Sequence, residues 1–121
     1  MDDLWPSNIG DMTLVTPVSI LKEQSELLGQ KTRQLVTGEV TTQTTGNLFV
    51  HSFCLWAPTL GYRYELFRAS HGVSFYPLNL TYLNNNTQIK SEAEFKEVLK
   101  EIFSAQHTVT TVQSILAMSR P

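Results

Sequence analysis

The chain has 121 residues, 9 Lys+Arg against 11 Asp+Glu and a formal net charge of −2, with 41% hydrophobic and 17% charged residues. A chain of this length suits one domain, 1–121, that buries about two-thirds of its unfolded surface, and its composition is far from the apolar-poor, highly charged balance of a disordered chain. Residues 1–60 carry 3 basic and 6 acidic residues and residues 61–121 carry 6 and 5, so neither half has the basic field of a generic nucleic-acid binder.

Residues 1–15 read as an N-terminal arm whose Trp5, Ile9, Met12, Leu14 and Val15 are too apolar for a free tail, so part of it is expected to lie across the domain. The first residues are acidic and form no apolar run, unlike a secretory leader, and no stretch reaches the ~18 apolar residues that span a bilayer. A cytoplasmic location with no membrane contact is the expectation. Thr16-Pro17 then marks a helix start, with Thr as N-cap and Pro in the first turn. Ile20, Leu21, Leu27 and Leu28 make the apolar stripe of a helix ending near Thr32.

From Leu35 the chain turns Thr- and Val-rich, which predicts a strand to Thr45; Gly46-Asn47 makes a hairpin turn into a second strand, Leu48 to Trp56. Pro58 and Gly61 end it, Tyr62 to Ala69 forms a third strand, and Ser70-His71-Gly72 turns into a fourth, Val73 to Tyr82. Asn84-Asn85-Asn86 closes the sheet as a polar loop. Ser91 to Glu94 has the pattern of a capping box, followed by Phe95, Val98, Leu99, Ile102 and Phe103 on one helical face. After a break around Ser104 to His107, Val109, Val112, Ile115 and Leu116 mark a shorter amphipathic segment over 108–118. The reading is α+β, in the order α-β-β-β-β-α-α: a four-stranded antiparallel meander with helices packed on the sheet.

Strict alternation makes both sheet faces apolar. Phe49, His51, Phe53 and Leu55 oppose Leu48, Val50, Ser52, Cys54 and Trp56; Tyr62, Tyr64 and Leu66 oppose Arg63, Glu65 and Phe67. Three accounts compete: cover on both sides or a strand bulge that changes the register, a homodimer or protein partner on the second face, or a small-molecule pocket between sheet and helix. The low charge density favours association, which makes Val50, Trp56, Phe67, Phe75 and Val112 the candidate interface. For a small-molecule ligand the candidates are Tyr62, Tyr64, Arg68, His71 and Tyr76, an aromatic set with an arginine suited to an anionic or aromatic compound.

Catalytic chemistry finds little footing. Cys54 is the only cysteine, so neither an intrachain disulfide nor a cysteine-rich zinc site can form, and its parity sends it to the face opposite His51. His51 reads as a hydrogen-bonded core or edge residue, His71 as a turn residue and His107 as a cap at the helix junction. No glycine-rich phosphate loop, serine-nucleophile elbow or acidic metal cluster is present, so no catalytic residue, metal or cofactor is assigned. The expected function is that of a non-enzymatic interaction module working as a homodimer or through a protein partner, accessory, immunity or inhibitor-like in kind. The alternative is a small-ligand binder or weak enzyme.

Overall fold

Thr16 caps the first helix, as its sequence position implies. Its backbone is extended, its hydroxyl accepts from the Ser19 N–H at 3.1 Å, and the Ser19 hydroxyl answers the Thr16 N–H at 3.1 Å. In the computed structural model, which describes residues 1–120, helix α1 covers Pro17–Lys31. Strands β1 (Thr37–Thr45), β2 (Leu48–Ala57), β3 (Tyr62–His71), β4 (Leu78–Tyr82) and β5 (Asn85–Ile89) follow, and helices α2 (Glu92–Ser104) and α3 (Gln106–Ser119) complete the chain. The strands form one antiparallel sheet in the order β1-β2-β3-β4-β5, and the fold is α+β.

The sheet has five strands where the alternation implies four. The expected strand 73–82 is split: residues 72–77 form an irregular connection, β4 starts at Leu78, and a two-residue turn at Leu83-Asn84 leads into β5. Both turn residues are left-handed, at φ 49° and 66°, which is the backbone of a tight hairpin turn. Of the expected Asn-rich loop only Asn84 is in the turn, and Asn85 and Asn86 begin a strand. It escapes the pattern because only Ile89 among its residues is buried.

The two apolar faces resolve through a β-bulge. Phe53 pairs with Phe67 while Cys54 pairs with Glu65, so Leu66 is an extra residue in β3. Before the bulge Tyr62 and Tyr64 stand opposite Ala57 and Leu55; after it Phe67, Ala69 and His71 stand opposite Phe53, His51 and Phe49. All of these share the face that the helices cover. The core gathers there: Phe53, Leu55, Leu66, Phe67, Leu78, Leu80 and Ile89 from the sheet, Ile20 and Leu21 from α1, and Phe95, Leu99, Ile102 and Ile115 from α2 and α3.

The other face is mainly polar. Arg63 makes two hydrogen bonds to Glu39, at 2.7 and 3.0 Å, and lies 4.7 Å over the Trp56 ring, and Arg68 is paired with Glu65. Such exposed pairs add little stability, but they make a surface that is at ease in water.

Helix α1 lies directly on β1. A Cβ added at Gly38 would sit 2.3 Å from Ser25 Cβ and 2.6 Å from Ser25 Cα, and the Thr37 hydroxyl donates to the Ser25 carbonyl at 3.1 Å. Backbone meets backbone here, so nothing can swing aside. Gly38→Ala is expected to destabilise the fold by about 3 kcal/mol, as overpacking at a rigid contact does. Gly10→Ala, where no atom lies within 4 Å of an added Cβ, is expected to leave the urea midpoint unchanged.

Candidate functional site

Histidine is the side chain of this protein best suited to proton transfer near neutral pH. His51 on β2 and His71 at the end of β3 are both buried, and their Nε2 atoms are 2.8 Å apart. The Gly72 carbonyl can only accept, so His71 donates to it from Nδ1 at 2.7 Å. With both rings neutral, His71 Nε2 accepts from His51 Nε2–H, and His51 Nδ1 accepts from the Thr42 hydroxyl at 2.9 Å. Every ring nitrogen is thus occupied, and Phe49 and Phe75 pack on the His71 ring. A general base needs a nitrogen free to reach a substrate. This pair instead ties β1, β2 and the end of β3 together, and His71 is part of a strand rather than of a turn.

Burial, then the neighbouring His71 and Lys22, lower the His51 pKa from 6.5 to about 4. Between those values the unfolded chain holds the extra proton. The stability is therefore complete above pH 6.5 and is lost as pH falls towards 4. Urea unfolding at pH 7.5 and pH 5 should show the natural chain losing about 2 kcal/mol more than His51→Gln does. An equal loss in both proteins would show that the His51 proton is not involved.

The other sequence candidates do not converge. Tyr64 donates or accepts at 2.9 Å with His107 Nε2, so His107, in the first turn of α3, is tied to the sheet rather than serving as a helix cap. Tyr62 is 44% exposed, and the bulge puts Arg68 on the opposite face, paired with Glu65. Tyr76 packs edge-on to Phe95. Of the five ligand candidates, Tyr62 and Tyr64 line one shallow opening beside Ile115 and Met118 of α3, and Arg68, His71 and Tyr76 lie outside it. Of the interface candidates, Phe67 is 2% exposed and stacked on Phe53, which removes it from any partner's reach. Phe75 packs on His71, and Val50 and Trp56 are half-buried on the polar face. Val112 lies elsewhere, on α3.

Cys54 is buried on that polar face, opposite in direction to His51, and burial followed by the Glu65 and Glu39 carboxylates raises its pKa. It is a poor nucleophile for that reason. The Tyr76 hydroxyl is buried without a hydrogen-bond partner. Tyr76→Phe deletes that group and is expected to raise stability by up to about 1 kcal/mol in the same urea assay, whereas a loss would mean that the hydroxyl is satisfied.

The feature that the histidines and tyrosines do not account for is a groove on the helix side. Between α1 and α3 lies an open cleft of about 380 Å³, with Phe53, Leu55 and Leu66 as its floor. Leu27 and Leu28 form one wall; Val109, Val112 and Leu116 form the other, with Phe103 at the end. A second opening, between α1 and α2, shares Gln24 and Phe103 with the first and runs to Val15. The rim carries Lys31 on the first part and Glu23, Lys96 and Lys100 on the second. Lys96 pairs with Glu92 at 3.3 Å, and among the described residues Lys31 and Lys100 have no carboxylate partner. Of these residues the sequence singles out only Val112, as an interface candidate; the leucines and Val109 read simply as the apolar stripes of amphipathic helices. Leu27 is 37% exposed, and the signal available beforehand was the width of the apolar stripes on α1 and α3.

Among the described residues no helix is long and apolar enough to cross a membrane. Compared with family models, with curated proteins and with solved structures, the chain finds no match.

Proposed function

We propose that the protein is a non-catalytic interaction module that holds an apolar polypeptide segment in the groove between α1 and α3. The observation that carries this reading is the groove itself: an open, largely apolar trough walled by half-buried leucine and valine side chains of two helices. Helix faces of this kind take apolar side chains at successive positions of a bound segment. Lys31 on this groove, and Lys100 on the opening that adjoins it, suit a segment flanked by acidic residues. The polar sheet face offers little of this: its charged groups are already paired with one another.

The enzyme reading has less behind it. The nitrogens of His51 and His71 are all engaged, the lone thiol has a raised pKa, and the aromatic and arginine candidates are spread over two faces.

The test is site-specific photo-crosslinking of the full chain, with a photoreactive phenylalanine in place of Val112 in the groove or of Thr81 on the polar face. Polypeptide adducts, identified by mass spectrometry, are expected from position 112 and not from position 81. Adducts from position 81 alone, or from neither position, would overturn the reading, as would a small molecule as the sole adduct at position 112.

A further inference from the structure

Residues 1–15 are the second unpartnered apolar surface of the molecule. Leu4, Trp5, Ile9, Met12 and Leu14 are 91%, 70%, 62%, 92% and 76% exposed. The arm's short backbone bonds, Ile9 to Pro6 and Asp11 to Asn8, are internal to it. Its charged side chains are Asp2, Asp3 and Asp11, with no Lys or Arg. An apolar, acidic segment complements in charge an apolar groove that carries Lys31, with the unpaired Lys100 on the adjoining opening.

The junction decides which copy the arm serves. Thr16 precedes a proline, which restricts it to extended backbone, and it stands at φ −99° and ψ 154°. The reciprocal bonds with Ser19 hold it there, and the Ser19 hydroxyl also donates to the Thr16 carbonyl at 2.7 Å. With Thr16 held by the proline and the capping box together, folding the arm back along its own α1 would need a reversal within the few residues that precede it. Val15 lines the adjoining opening between α1 and α2 and not the α1/α3 groove, and the residues before it are exposed. An arm of ten extended residues spans about 33 Å, whereas α1 is about 22 Å long, so one arm can follow the whole groove of a neighbour.

We propose that the chain forms a homodimer in which the N-terminal arm of each copy lies in the α1/α3 groove of the other. The inference rests on the groove being a polypeptide-binding site and names its occupant. Exchange of this kind is closed by a two-fold axis, because each copy supplies one arm and one groove.

The experiment follows mass and the environment of Trp5 together. Trp56→Phe leaves Trp5 as the sole tryptophan in an otherwise full chain. Light scattering is expected to give a mass near twice 13.7 kDa, with Trp5 emission shifted to shorter wavelength and returning on dilution as the mass falls. Ile9→Asp with Met12→Asp, which changes only exposed arm residues, should raise the dimer dissociation constant at least tenfold with unaltered circular dichroism. Val112→Glu should do the same from the groove side. Mixing these two variants should restore a dimer, since the pair still holds one intact arm and one intact groove.

A monomer at every concentration would overturn the inference. So would a dimer indifferent to both variants, which places the interface elsewhere. A shifted Trp5 emission at monomer mass would put the arm in its own groove, against the exchange but not against the groove. If the chain is monomeric and position 112 cross-links to a different protein, the groove reading stands and the exchange falls.

Discussion

The contact of α1 with β1 at Gly38 governs the arrangement of everything above the sheet. A helix normally stands off a sheet by the length of its side chains, about 10 Å between layers. Here the missing Cβ lets the α1 backbone at Ser25 settle on the backbone of β1, over one margin of the sheet. The helices that return from β5 meet the sheet from the other side: α2 brings Phe95 against Tyr76, and α3 ties its first turn to Tyr64 and Tyr82. What lies between α1 and α3 is the middle of β2 and β3, and that strip is the groove floor. The opening is thus the geometrical remainder of a close helix-strand approach on one side and a returning helix pair on the other.

The elements with strong local chemistry were legible in the sequence. Thr16-Pro17 caps α1, Gly46-Asn47 turns β1 into β2, and the Phe95-to-Phe103 stripe marks α2, because caps, left-handed turns and helical periodicity each act within a few residues. At α2 the capping is half of what the pattern implies: Ser91 accepts from the Glu94 N–H. Non-local features were hidden. The Leu66 bulge leaves no composition signal, yet it reverses every parity after it, which is why Phe67 moved into the core and Arg68 out of the supposed ligand cluster. Strand β5 was hidden for a different reason. Asn85, Asn86, Thr87 and Gln88 are exposed, so its strand character comes from pairing with β4 rather than from its own side chains.

The site divides in the same way. Parity alone separates Cys54 from His51, and the register agrees, but no sequence rule brings His51 to His71 across twenty residues. That meeting depends on the bulge, which returns odd-numbered His71 to the face of the even-numbered tyrosines. A pocket between sheet and helix is among the readings the sequence allows, but its residues are not, Val112 apart, because an apolar helix stripe reads the same whether its outer half is covered or open. Only the spacing of the helices distinguishes the two. The arm shows the reverse error: its apolar residues implied cover that the fold does not supply, and they stand exposed.

The meander also sets the order in which the molecule can assemble. Every strand pairs with its neighbour in the chain, and α1 docks on the strand that follows it, so these contacts close short loops at small entropic cost. The packing of α3 near β2 joins residues far apart in the chain and closes a much longer loop. During synthesis from the N-terminus, the residues of α1 and the sheet are made before those of α3. For that interval Phe53, Leu55 and Leu66 face water beneath an absent wall. The groove consequently has no second wall until α3 docks, and until then its apolar floor is open to water and to other chains.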